Sequence, residues 1–159
     1  MKICDRPFDT ISEMDTALIN AWNSTVSNED EIYILGDVSL KGATLINELM
    51  PKLNGIKYLI KGNHDLYTQQ QSFEHDLFVF IKDYYELNYQ GQYFILSHYP
   101  FLSWNGMHRG SIHLHGHQHN KKEYNLANRN SGIKRYDVGV DANDMRLVSI
   151  EDIIRFFTD

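Results

Sequence analysis

Cysteine is nearly missing from this chain. The single Cys4 excludes an internal disulfide framework and any cysteine-ligated zinc site, and it fits a reducing, cytoplasmic setting. Proline and glycine are sparse, with three Pro and ten Gly in 159 residues, which excludes a collagen-like or low-complexity chain. No apolar run approaches the roughly 18 residues that a membrane span needs, so no membrane partner is expected. The opening MKICDRPFDT has no apolar stretch of signal-peptide length. Basic residues are outnumbered, 15 Lys+Arg against 21 Asp+Glu, for a formal net charge of -6. That balance disfavours a broad grip on nucleic-acid backbone and leaves only a local patch open. Internal repeats and linkers are absent. So are the G-x-S-x-G elbow, the Walker-A loop and the H-E-x-x-H zinc motif.

What is present is a globular composition. Hydrophobic residues make up 42% and aromatics 13%, enough for one sizeable core, and the chain is expected to form a single domain over 1–159. Histidine stands out. Six of the eight (His98, His108, His113, His115, His117 and His119) fall between positions 98 and 119, a clustering that points to metal.

Periodicity gives a coarse map. Thr10 and Glu13 have capping-box spacing, and Ile11, Met14, Leu18, Trp22 and Val26 form one stripe, predicting a helix over 12–26. A strand over 31–35, a short helix over 44–50 and a strand over 56–60 follow. The stretch from 66 to about 74 is polar and helix-like. Residues 78–89 and 92–97 flank Gln90-Gly91 as a predicted hairpin. Strands are predicted over 112–115, 136–140 and 146–148, and Ser149 begins a final helix through Phe157. The pattern is that of an α/β protein with helices packed on sheets.

The polar clusters fall just past the apolar strands. Gly36-Asp37 offers a turn followed by a hard oxygen ligand, although alone it reads as a turn. In Gly62-Asn63-His64-Asp65, Asn63 offers a carbonyl oxygen, His64 a proton and Asp65 a partner for the imidazole's second nitrogen; an Asx-type turn is the alternative. Ser97-His98-Tyr99-Pro100 follows the hairpin. Gly116-His117-Gln118-His119 is the strongest local signal, because i and i+2 side chains of extended backbone share a face. Neutral imidazoles suit Mn, Fe and Zn. His113 and His115 read as structural or supporting, His75 and His108 as loop residues. Lys121, Lys122, Arg129, Lys134 and Arg135 crowd a basic loop, solvated or facing a phosphate-rich substrate.

The motifs GD, GNHD, SHYP and GHQH, in that order at successive strand ends, resemble the calcineurin-like metallophosphoesterase superfamily. RPFDTISEMDTALINAWNSTV and YDVGVDAND are also similar to its small bacterial and phage members. The resemblance covers essentially the whole chain. It implies a β-sandwich flanked by helices (α/β/β/α) with a dinuclear divalent-metal centre, manganese first and Fe or Zn as alternatives. Asp37 would bridge the two metals, Asn63, His98 and His117 would complete one, and His119 would serve the other. His64 would act near the leaving oxygen, with Asp65 orienting it. Arg6, Asn105 and Arg109 are candidate contacts to a small phosphorylated substrate. The activity implied is hydrolysis of phosphomono- or phosphodiesters by a metal-activated water.

One feature departs from the family. Its members open with an apolar strand ending in Asp-x-His, and here that first strand is missing; the chain begins near the segment Cys4-Asp5-Arg6-Pro7-Phe8. The second metal would keep Asp37 and His119, with water, Asp141 or another chain supplying the rest. A late start codon, a truncated gene and a divergent one-metal member all account for this, and truncation of a normal enzyme is expected because every other motif is intact. The rival reading is a catalytically impaired module that holds one metal and binds a phosphorylated ligand. A His-rich metal-sequestering protein is a third, which leaves GNHD unexplained.

Overall fold

The structure, a computed structural model, describes residues 8–159. It is mixed α/β, with two sheets and four α-helices among the described residues, as the periodicity predicts at that level. No described helix is long and apolar enough to cross a membrane. The chain divides into two compact units at Asp83/Tyr84.

In the first unit, helix α1 (Ile11–Thr25) starts where expected. The Thr10 hydroxyl accepts from Glu13 N at 3.1 Å, and the Glu13 carboxylate accepts from Thr10 N at 3.1 Å. These bonds satisfy two of the amides that a helix start leaves orphaned. Strand β1 (Glu31–Ile34), helix α2 (Ala43–Leu49), strand β2 (Ile56–Ile60) and the short strand β3 (Ile81–Lys82) follow. The three strands pair in parallel in the order β1-β2-β3. Gly42, at the start of α2, has no side chain to cap with, and Gln70 Oε1 accepts from Ala43 N instead, at 2.8 Å. Ile46, Met50, Leu59, Tyr67, Phe73 and Phe78 make the buried core, with Ile19 and Trp22 of α1 packed against it. The exit of α1 is tied down where Trp22 Nε1 donates to Asn54 O at 2.9 Å.

Residues 66–74 depart from the helix-like reading. They hold only a 3-10 turn at Leu66–Gln69, and Tyr67 and Phe73 turn inward as core residues. Nor is 78–89 one hairpin strand. Ile81 and Lys82 pair with β2, and the chain breaks at Asp83 before strand β4 (Tyr84–Tyr89) begins the second sheet.

In the second unit, β4 and strand β5 (Gln92–Ser97) form the expected antiparallel hairpin. Gln90 and Gly91 hold φ of 50° and 85°, the two left-handed positions of a tight hairpin turn. Strand β6 (Ile112–His115) and strand β7 (Arg135–Asp137) add in parallel, giving the order β4-β5-β6-β7. All four residues of β6 are buried, as befits an interior parallel strand. Residues 121–135 are not a basic loop: helix α3 (Lys122–Asn130) lies there and buries Asn125 and Asn128. Asn125 brackets Asp137 of β7, donating to its carbonyl at 3.0 Å and accepting from its N–H at 2.8 Å. Strand β7 is shorter than 136–140, because residues 140–142 form a 3-10 turn. Residues 146–148 are irregular instead of a strand. Helix α4 (Ile150–Thr158) is capped by Ser149 as predicted, its hydroxyl accepting from Asp152 N at 3.1 Å. Phe156 and Phe157 pack edge-on against Tyr136.

Candidate functional site

Each unit brings two of the four motifs together at the carboxyl ends of neighbouring parallel strands, where ligand-binding loops of α/β sheets gather. In the first unit the chain leaves β1 through Gly36 and Asp37, both left-handed at φ 83° and 56°. It leaves β2 through Gly62-Asn63-His64-Asp65. Two carboxylates brace these loops against each other. Asp37 Oδ1 accepts from His64 N at 2.8 Å. Asp65 Oδ2 accepts from Gly62 N at 2.7 Å and Asp37 N at 2.8 Å, and its Oδ1 accepts from Val38 N at 3.0 Å. Asp65 is buried, whereas the Asn63 and His64 side chains are exposed.

This corrects the expected role of Asp65. Its carboxylate is engaged by backbone amides and does not hold the His64 imidazole. Beneath it, burial first, and then the negative charges of Asp65 and Asp37, push the Tyr67 phenol far above its usual range, so that group stays a neutral hydroxyl.

In the second unit, β5 and β6 deliver SHYP and GHQH side by side. Gly116 N donates to His98 O at 3.1 Å, and His98 Nε2 lies 3.1 Å from His117 Nδ1. His98 is buried and His117 exposed. Two imidazole nitrogens bound to one ion at about 2.0–2.1 Å stand about 2.9–3.4 Å apart for ligand angles of 90–109°. The observed spacing falls inside that interval and is also that of an N–H···N hydrogen bond between the rings, so the pair bonds to itself and has the spacing for a shared cation. Tyr99 is half exposed and packs edge-on against both rings, with centroids 5.0 Å from His98 and 4.7 Å from His117.

The backbone of the GHQH loop is not the extended one expected. His117 and His119 hold φ of 68° and 50°, both left-handed. His119 instead finds its own partner: its Nδ1 lies 2.8 Å from Asp141 Oδ2, a nearly buried carboxylate. Because a carboxylate accepts, Nδ1 carries the proton, which in a neutral ring leaves the lone pair on Nε2.

Three residues behind this half-site were missed by sequence reasoning. Asp137, buried, accepts from Asn120 Nδ2 and from Gly139 N, both at 2.8 Å, linking the GHQH loop to the loop that carries Asp141. Asn143 donates to the Asp137 carbonyl at 2.9 Å and to the Gly139 carbonyl at 2.8 Å. Asp137 and Asn143 lie within YDVGVDAND, so their signal was present without its meaning. Tyr99 was visible only as one letter of SHYP.

His113 and His115 are fully buried. His115 Nε2 meets the Tyr124 hydroxyl at 3.0 Å. Burial, above all, pushes both imidazoles down, His113 to about 4. Asn105 is engaged by Glu86, donating to its two carboxylate oxygens at 3.1 and 3.2 Å. Arg109 is exposed on the 3-10 turn Met107–Arg109. Arg6, like Cys4, lies outside the described residues.

Fold and motifs thus define a mixed α/β protein with ligand-capable loops at parallel strand ends. The chain belongs to the family of the uncharacterized protein MJ1445 of Methanocaldococcus jannaschii, to which it is 32% identical over 159 residues, spanning 98% of this chain and 81% of that protein. It is also 29% identical to the gene 66 protein of Mycobacterium phage L5 over 173 residues, 91% of this chain and 81% of that one. Its fold is shared by AQ665 of Aquifex aeolicus, a protein of unknown function, with a TM-score of 0.69, 23% identity, and coverage of 92% of this chain and 86% of that one. No family model matches the chain.

Proposed function

We propose that the chain is a metal-dependent phosphoesterase with the metallophosphoesterase sandwich. In this reading it acts on small phosphorylated mono- or diesters, with Asp37, Asn63, His98, His117 and His119 holding divalent cations, manganese foremost. The observation that carries the reading is the 3.1 Å separation of His98 Nε2 and His117 Nδ1. The left-handed backbone at Asp37, His117 and His119 adds to it, since such strain collects at functional sites. When bound, the cations supply charge neutralisation for phosphoryl oxygens and a water acidic enough to lose its proton near neutral pH.

The chain's own residues supply the rest. Asp37 ties the two loops of its unit through the His64 amide, so the His64 backbone is fixed while its imidazole stays exposed to meet a leaving oxygen. Asp141 fixes the His119 tautomer. Asp65 holds the backbone beneath Asp37 and Gly62.

The test combines metal content with turnover. The purified chain loaded with Mn2+ is expected to bind the ion at defined stoichiometry and to hydrolyse bis(p-nitrophenyl) phosphate. His98→Ala should abolish metal retention. His64→Ala should lower kcat by about 10²–10⁴ at unchanged metal content, as expected for loss of a general acid. Metal binding without turnover would overturn the enzyme reading in favour of a phosphate-ligand binding module. Absence of metal binding would overturn both.

A further inference from the structure

His113 makes contacts that the reading above does not use. It sits in β6 with no exposure, paired in register with Ile95 on β5 and Arg135 on β7. Its Nδ1 lies 3.0 Å from Ile95 O. A carbonyl only accepts, so Nδ1 carries the proton and Nε2 keeps a lone pair. That lone pair accepts the Phe101 N–H at 2.9 Å. The other end of the same residue is held from the next strand, where Arg135 Nη1 donates to Phe101 O at 2.9 Å. The Phe101 ring lies flat on the His113 ring, 4.9 Å between centroids and 7° between planes.

Two register partners on neighbouring strands therefore clamp one residue of the SHYPF segment by its N–H, its carbonyl and its ring. Between the clamp and His98 lie only Tyr99 and Pro100. Proline fixes its own φ and restricts the residue before it, so a fixed Phe101 leaves Tyr99 little backbone freedom. Tyr99 in turn packs against both candidate metal-binding imidazoles.

We infer that His113 and Arg135 are positioning residues for the His98–His117 pair, acting through the Phe101 main chain and the Tyr99 ring. Lost clamping frees Tyr99, and the two imidazoles, in hydrogen-bond contact with each other at 3.1 Å, lose the ring that packs against both. The effect on metal affinity rests on the phosphoesterase reading; the effect on the imidazole pair does not.

The experiment uses the metal-free chain and long-range 1H–15N spectra of the histidine rings. His113→Phe keeps a flat ring but offers Phe101 no acceptor; Arg135→Lys keeps charge but loses the fork. Either variant is expected to move the ring resonances of His98 and His117 while the far-UV spectrum holds. Neither should move them further once Tyr99→Ala is present. His113→Gln, which keeps one donor and one acceptor, should restore most of the wild-type spectrum. Should His113→Phe fail to fold, Arg135→Lys carries the same test alone. Unmoved His98 and His117 resonances in the folded clamp variants would overturn the inference, as would shifts undiminished in the Tyr99→Ala background.

A Mn2+ titration of the same proteins separates this inference from the functional reading. The clamp variants should bind about tenfold more weakly, a loss typical of groups that orient metal ligands. A wild-type chain that takes up no Mn2+ sinks the phosphoesterase proposal and leaves the ring spectra to decide the clamp.

Discussion

Replacing Asp65 tests how the loops of the first unit are held. Its buried carboxylate accepts three backbone amides, from Gly62, Asp37 and Val38, at 2.7, 2.8 and 3.0 Å. Hydrogen bonds to charged groups each contribute about 1.5–3 kcal/mol net, and a buried donor left unpaired costs about 1–3 kcal/mol. Asp65→Ala deletes all three bonds at once. The gross loss of at least about 4–5 kcal/mol is offset in part, because an ionised group no longer has to be buried and water entering the vacated volume can meet one amide. We expect a net loss of about 3–4 kcal/mol. Asp65→Asn should cost less, about 2 kcal/mol. Its single carbonyl can serve Gly62 and Asp37 as Oδ2 does, while its amide group faces the Val38 N–H, donor against donor. Urea unfolding of the metal-free chain measures both variants without a ligand contribution. The reasoning fails if Asp65→Ala lies within 1 kcal/mol of wild type, or if Asn proves as costly as Ala.

Acid should weaken the fold through His113. Its folded value of about 4 lies below the ordinary 6.5, so the unfolded chain binds the proton first as pH falls. Stability from this group is complete above pH 6.5 and is lost progressively towards pH 4, about 3 kcal/mol in all; Arg135 and His115, which also disfavour a charged His113, act in the same direction. Denaturant midpoints between pH 7 and 4 should follow that slope, and His113→Gln should flatten it. Gly55→Ala should destabilise the first unit by more than the 1–2 kcal/mol typical of a left-handed alanine. The residue holds φ +95°, and a methyl there would lie 2.9 Å from Val26 Cγ1 and 3.0 Å from Asp30 O; an unchanged melting temperature would contradict this. At the exposed position 117, φ 68° should reverse the usual ranking of small residues, making His117→Gly more stable than His117→Ala by about 1 kcal/mol. Thermal melts of the two variants decide it.

Local rules made α1 readable, since Thr10 and Glu13 state a capping box in four letters. The Gln90-Gly91 turn and the Ser149 cap were readable for the same reason. The polar loops of the candidate site were readable as loops because apolar strands end abruptly in polar clusters. What escaped reading depends on distant partners. Ile81 and Lys82 alternate like the strand that follows them, and only pairing with Leu59 and Ile60 assigns them to the first sheet. Helix α3, with sequence KEYNLANRN, lacks an apolar stripe, because Asn125 and Asn128 bury polar groups and Asn125 serves the β7 main chain in place of a strand. Asp65 beside His64 reads as its partner in one dimension, yet the Asp37 and Val38 amides that claim it lie 28 and 27 residues away.

The two units solve one electrostatic problem the same way. In each, a buried carboxylate lies under the polar loops that follow the parallel strands, and a carboxylate resists burial unless polar groups meet it. Asp65 in one unit and Asp137 in the other are both buried, and both are met by N–H groups: Gly62, Asp37 and Val38 for the first, Gly139 and the Asn120 amide for the second. Neutral dipoles offset part of each charge without removing it. Glycine and left-handed backbone at Gly36-Asp37 are the geometric side of this arrangement, since the Asp37 amide can turn down onto Asp65 only if the chain reverses sharply after β1. The same turn leaves the Asp37 carboxylate to receive the His64 amide, so each of the two carboxylates holds an amide of the loop that carries the other.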